Sequence, residues 1–148
     1  MNKFWGHLKT ITHHRHLVMR GCFRMGLIWQ GLTHDLSKYS PTEFLAGVRY
    51  YQGDRSPNTA EREANGYSLA WMHHKGRNRH HFEYWTDLSP KTRTYEPVDM
   101  PVRYLCEMVA DRIAACKTYQ GAAYTDASPL QYLDRANESR LVHPQTMK

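Results

Sequence analysis

The sequence predicts an all-α domain. Apolar residues recur at intervals of three, four and seven along its long stretches, which is the helical period. Ser40-Pro41, Met100-Pro101 and Ser128-Pro129 put proline where a helix begins. No stretch alternates apolar with polar residues as a half-buried strand does. A length of 148 residues suits one domain with its own core. The expected architecture is a compact single-domain bundle of about five to seven helices. Its core is expected over residues 2 to about 138, with residues 139–148 a frayed tail.

The first helix is expected over residues 2 to about 25, with Phe4, Leu8, Ile11, Val18, Cys22 and Met25 as its apolar stripe. His14 falls on that stripe, while His13 and His16 point elsewhere. A histidine there is either a hydrogen-bonded core residue or a ligand, and spacing leaves both readings open. Gly26 ends the helix, and residues 27–35 form a second one that runs back along it. At 1.5 Å per residue His14 lies about 18 Å before the turn and His34 about 12 Å after it, so the two can meet. Ser40 caps a third helix, with Pro41 first and Glu43 third; Phe44, Val48 and Tyr51 give it a buried side. Capping alone accounts for Glu43.

Residues 53–58 read as a loop. A fourth helix follows from about Thr59 to His74, with Ala64, Tyr67, Trp71 and His74 on one stripe. The basic run Lys75-Gly76-Arg77-Asn78-Arg79 breaks it, and residues 80–85 form a short turn packed by aromatics. Residues 86–99 carry Pro90 and Pro97 without periodicity and read as an irregular loop. The fifth strong helix opens at Met100-Pro101, with Leu105, Met108, Val109, Arg112 and Cys116 on one side. Asp111 sits in mid-helix among small apolar residues, a costly place unless it is paired or bound to metal. It is either a surface partner of Arg112 or Lys117, or a ligand. A last helix is expected over about 129–138.

Chemistry concentrates at His34-Asp35-Leu36-Ser37-Lys38. An adjacent imidazole and carboxylate suit a divalent transition metal (Mn, Fe, Zn, Ni or Co) better than Mg or Ca. Histidine is abundant, 10 residues clustered at 13–16, 73–74 and 80–81. The net charge of +6 gathers in residues 1–50, which hold seven Lys/Arg against two Asp/Glu. A basic surface of this kind suits a small anionic phosphate-containing substrate, a nucleotide or nucleic acid. Three widely spaced cysteines without a C-x-x-C pair argue against a thiolate zinc site and point to a reducing cytoplasm. No signal-peptide pattern and no membrane-spanning apolar run is present, so no membrane partner is expected.

A histidine in a first helix, His-Asp-x-x-Lys after a second and an aspartate in a late helix resemble the HD-domain superfamily of metal-dependent phosphohydrolases. His14, His34, Asp35 and Asp111 match its four metal positions in order. The segments HDLSKYSPTEF, YYQGDRSPN, WMHHKGRNRHHFEYW and EMVADRIAA are similar to a small bacterial and phage family regarded as HD-like, over most of residues 8–120. The 20-residue gap from His14 to His34 is short for the superfamily, which keeps His13 and His16 as alternatives to His14.

The resemblance implies hydrolysis of a phosphomonoester or phosphodiester by metal-activated water, with one or two ions. A second ion would be held near His74 and His81. Asp35 and Lys38 are the expected catalytic residues, Lys38 stabilising phosphate charge or protonating the leaving oxygen. Lys75, Arg77 and Asn78 are the expected substrate-binding residues, with Arg79 a further phosphate contact. Two rival readings stand beside this one. HD-like sites holding two irons act as oxygenases, and a basic helical domain can bind a nucleotide or nucleic acid without chemistry.

Overall fold

The computed structural model describes residues 2–136 and 142–148. Asn2 starts the first helix by accepting from the Phe4 amide at 2.9 Å, and α1 runs Lys3–Arg24. Its buried stripe is Gly6, His7, Ile11, His14, Val18 and Cys22. That corrects the expected stripe at both ends: Phe4 and Met25 are exposed, and His7 takes the inner position. Gly26 adopts φ 73°, a conformation that costs glycine little. It lets Leu27 N–H reach Cys22 O at 2.9 Å and Gly26 N–H reach Phe23 O at 3.1 Å, a Schellman stop that folds the chain back.

The second helix, α2, is Ile28–Thr33, shorter than expected. It ends because Asp35 takes the left-handed conformation at φ 53°, which aspartate tolerates better than most residues. A single 3₁₀ turn, Leu36–Tyr39, follows. Ser40 then caps α3, Pro41–Arg49. The fourth helix expected from the sequence is two: α4, Pro57–Asn65, and α5, Leu69–Lys75. Gly66 closes the one, and Ser68 starts the next by accepting from the Trp71 amide at 3.0 Å.

Residues 86–99 are a hairpin, not an irregular loop. Its strands β1, Thr86–Leu88, and β2, Tyr95–Pro97, pair antiparallel with Asp87 opposite Glu96. Three residues a side are too few for an alternating pattern to show. The chain then enters α6, Val102–Gln120, and α7, Ser128–Ala136. With seven α-helices and one small sheet among the described residues, the class is all-α, as the sequence predicts. No helix among them is long and apolar enough to cross a membrane.

The expected frayed tail lies partly outside the described residues, which resume at Val142. There Val142 is buried with Phe82 and Met100. Thr146 ties down the end, donating to Asp99 Oδ1 at 2.8 Å and accepting from the Met100 amide at 2.9 Å.

α6 packs along α1, with α2 and α3 against the same helix. Val18, Cys22, Ala110 and Ala114 form a small apolar cluster between α1 and α6. Yet the largest fully buried side chains include His34, His74, His80 and Asp35. The middle of the bundle is therefore polar, and burying such groups is costly unless partners or a bound ion compensate them.

The packing of α1 on α3 yields two predictions at His7. Its ring sits between Phe44 and Tyr51, 5.3 and 6.0 Å between centroids. A Cβ on Gly47 would fall 2.1 Å from His7 Nε2. Gly47→Ala gains about 1 kcal/mol of helix propensity, but displacing a buried ring costs up to about 3 kcal/mol. Urea unfolding should show a net loss of about 1–2 kcal/mol.

Burial, aided by Lys38, pulls the His7 pKa from 6.5 to about 4. The unfolded chain then takes the proton first as pH falls. The stability that neutral His7 contributes is complete above about pH 6.5 and is lost between there and about pH 4. The stability gap between wild type and His7→Gln should change across that window, by on the order of 2 kcal/mol. A gap independent of pH would rule this out.

Candidate metal centre

Three parts of the chain meet in the polar middle. α1 carries His14, α6 carries Glu107 and Asp111, and the break after α2 carries His34 and Asp35. The left-handed turn at Asp35 matters here. It ends the helix, and the carboxylate it carries is wholly buried beside His34. The end of α5 and the turn after it add His74, His80 and His81.

Asp35 is the hub. Its Oδ2 lies 3.3 Å from His34 Nε2, 3.8 Å from His14 Nε2 and 2.6 Å from the Lys38 ammonium. Its Oδ1 faces the other way, 3.2 Å from His74 Nε2 and 3.4 Å from His80 Nε2. Asp111 closes the first group, with Oδ1 2.8 Å from His14 Nε2 and 3.4 Å from His34 Nε2. Asp111 is thus the inward residue of the two expectations, held by His14 and not a surface partner of Lys117.

Ligand-capable atoms of His14, His34, Asp35 and Asp111 all lie within 4.8 Å of one another, and so do those of Asp35, His74, His80 and His81. The four positions matched by the superfamily resemblance are one group, and the expected second-ion residues His74 and His81 are in the other. His13 and His16 are exposed on α1 and take no part.

Buried polar atoms test whether this donor set fits a cation. His34 Nε2, both carboxylate oxygens of Asp35, His80 Nε2 and His81 Nε2 are buried without a hydrogen-bond partner. Of these atoms Asp35 Oδ2 does have a counter-charge, the Lys38 ammonium at 2.6 Å. Unmatched buried atoms are rare in proteins, each costing about 1–3 kcal/mol. The five atoms named here converge on one place and are nitrogen or carboxylate oxygen, the donors that suit Mn, Fe, Zn, Ni or Co. The residues present fit a transition metal.

Carboxylates behind the histidines aim them. Glu107 Oε1 lies 2.8 Å from His34 Nδ1 and 3.1 Å from His80 Nδ1. Glu43 takes His74 Nδ1 at 2.7 Å and His73 Nδ1 at 2.6 Å. An ionised carboxylate only accepts, so these Nδ1 atoms donate. That leaves the Nε2 edges of His34, His74 and His80 facing Asp35, the edge by which a metal would be held once any proton there has left.

The electrostatics agree. Burial pushes the Asp35 carboxyl up, but His34, Lys38 and His74 outweigh it and hold the group well below its usual range. Asp111 is held down in the same way by His14 and His34 against its burial. Burial and Lys38 depress His14, and burial with His80 and His74 depresses His81 further, which favours the neutral ring in both, although His14 donates from Nε2 to Asp111 and would have to give up that proton to ligate there. His34 goes the other way: its burial is outweighed by Asp35, Asp111 and Glu107, which raise it. A cation arriving here displaces a proton from His34.

The expected substrate residues separate. Asn78 Nδ2 donates to Ser37 Oγ at 2.8 Å and to His74 O at 2.8 Å, bracing the centre. Arg77 and Asn78 line a cleft of about 400 Å³ that also takes in Trp29, Arg79, Arg103 and Glu107. Lys75 belongs neither to the centre nor to that cleft's lining.

Sequence reasoning missed His80, Glu107 and the outer role of Glu43. His80 was hidden because residues after Lys75 leave the helix, so stripe counting finds His74 and His81 but has no ground for adding His80. Glu107 had a signal: it precedes Asp111 by one helical turn and shares its face. Ser40 caps α3 by accepting from the Glu43 amide, but capping does not account for the Glu43 side chain, which bridges His73 and His74.

A model of a family described as "Family of unknown function (DUF5662)" matches residues 3–148, nearly the whole chain. No curated protein and no solved structure matches.

Proposed function

The chain belongs to DUF5662, a family of unknown function, so no activity comes with kinship, and we propose that it is a metal-dependent phosphohydrolase acting on a phosphomonoester or phosphodiester. The observation that carries the reading is the convergence of unmatched buried nitrogen and oxygen atoms on Asp35. The order His14, His34, Asp35, Asp111 and its resemblance to HD-domain phosphohydrolases supply the reaction class.

His14, His34, Asp35 and Asp111 would hold one ion, and His74, His80 and His81 with Asp35 a second. A bound divalent ion supplies positive charge against a phosphate oxygen and makes water acidic enough to attack near neutral pH. The chain's own residues do the rest. Asp35 offers one oxygen to each group and so sets their separation. Glu107 and Glu43 keep the Nε2 atoms pointed inward. Lys38 is a fixed charge for a phosphate oxygen. Burial lowers its pKa, but Asp35 and Asp111 outweigh that and raise it, so its proton is firmly held. The substrate is a small phosphate-containing anion, and the three unpaired cysteines suit the reducing cytoplasm in which this reading places the protein.

The test is turnover of bis(p-nitrophenyl) phosphate and p-nitrophenyl phosphate with added Mn²⁺. Metal-dependent hydrolysis of either is expected. Lys38→Met should slow it about a hundredfold, the usual cost of one charge-stabilising group, while metal content stays unchanged. Hydrolysis that is indifferent to both metal and Lys38 would defeat the proposal. One observation favours a second reading: the group at Asp35 contains three histidines, a nitrogen-rich set that suits iron. Iron-loaded protein that consumes dioxygen and hydrolyses neither ester would select an oxygenase.

A further inference from the structure

The cleft beside the centre has a chemistry of its own. Arg77, Arg79 and Arg103 reach it from the turn after α5 and the first turn of α6, and Trp29 reaches it from α2. All three arginines are exposed, and none forms an ion pair among the described residues. Arg79 is already ordered: its guanidinium lies over the rings of Tyr84 and Tyr104, 5.9 Å from each centroid, and donates to Tyr104 Oη at 3.2 Å. A guanidinium held in this way loses little freedom on meeting a phosphate. Trp29 is 74% exposed although tryptophan is among the costliest side chains to leave in water.

The only carboxylate in the lining, Glu107, is buried and already matched by His34 and His80. It reaches those rings at Nδ1, while their Nε2 atoms face Asp35. The cleft therefore abuts the outer edge of the two imidazoles, not the edge a metal would occupy. Unpaired arginines beside one exposed indole are complementary to a ligand that is anionic at one part and flat at another.

We propose that this cleft binds a phosphate ester carrying a planar base, its phosphates on Arg77, Arg79 and Arg103 and its base stacked on Trp29. A single nucleotide and a single-stranded nucleic acid share that chemistry. Binding here uses no metal and does not depend on the hydrolytic reading.

The test is fluorescence anisotropy of fluorescein-labelled dT10 with the full chain, in EDTA and across a range of salt. Salt-sensitive binding is expected. Trp29→Ala and the double variant Arg79→Ala/Arg103→Ala should each weaken it about tenfold, and the double variant should also flatten the salt dependence by about 1.4 in log–log slope, two phosphate contacts at about 0.7 each. All three side chains are exposed, so these variants fold. A control that removes equal charge elsewhere, Lys3→Ala/Arg49→Ala, should bind as wild type. Unlabelled AMP that competes as well as unlabelled dT10 identifies a single nucleotide as sufficient, and competition by dT10 alone identifies a strand. Equal weakening by the control, wild-type binding by the Trp29 and arginine variants, or loss of wild-type binding in EDTA would each overturn the proposal.

Discussion

Asp35→Asn is expected to empty both metal groups at once. One oxygen of this carboxylate faces His14 and His34, and the other faces His74 and His80. No other residue belongs to both groups. Asparagine keeps the shape and is as comfortable at φ 53° as aspartate, whereas alanine would add left-handed strain of about 1–2 kcal/mol and confuse the result. What the change removes is the negative charge. The expected loss of metal affinity is on the order of a thousandfold, about 4 kcal/mol, and hydrolysis should fall with it. Breaking the ion pair with Lys38 leaves a half-buried ammonium without its nearest counter-charge, which costs about 1–3 kcal/mol of stability. The double variant Asp35→Asn/Lys38→Met removes that penalty. It should fold, give the helical far-UV signal and still take up no metal. A folded double variant that loads like wild type would show that the cation, if any, is held elsewhere.

Glu107→Ala should weaken both groups together, although Glu107 is expected to touch no metal. A single oxygen of this residue holds the Nδ1 atoms of His34 and His80, one ring from each group. Without it each ring is free to turn or change tautomer, so the Nε2 lone pairs are no longer fixed. Loss of such outer partners costs about 10–100-fold in metal affinity. Glu107→Gln keeps an acceptor oxygen and should lie between wild type and alanine. Titration with Co²⁺, followed by its visible absorption, reads both steps directly. Loss confined to one step would mean that the two rings are braced independently. A merely structural role would instead lower stability and leave Co²⁺ affinity in the folded protein unchanged.

The legible part of this protein is its helical skeleton, the group His14, His34, Asp35 and Asp111, and His74 and His81 of the second group. The stripe through Ile11, Val18 and Cys22 marks out α1 as a long amphipathic helix, and Gly26 with the shortness of the turn brings His14 and His34 within reach of each other. Asp111 betrayed itself by being a carboxylate in an apolar mid-helix position. What stayed hidden depends on breaks in regular structure. The left-handed residue is Asp35 itself, and nothing local distinguishes it from the end of a longer helix. Gly66 and Ser68 split a helix whose pattern reads as continuous. Beyond Lys75 the chain leaves helical period, so His80 and His81 cannot be ranked by spacing. The hairpin over Thr86–Leu88 and Tyr95–Pro97 is too short to carry a period of two. Partners such as Glu43 and Glu107 become visible only when the histidines they hold are in place.

The most direct measurement is the metal content of the protein after loading with Mn²⁺, Fe²⁺ or Zn²⁺ and gel filtration, read by elemental analysis beside Asp35→Asn. Two four-residue groups that share Asp35 predict about two retained ions per chain for at least one of these metals, and essentially none for the variant. A wild-type chain that retains none of the three, or a variant that retains as much as wild type, would contradict the account.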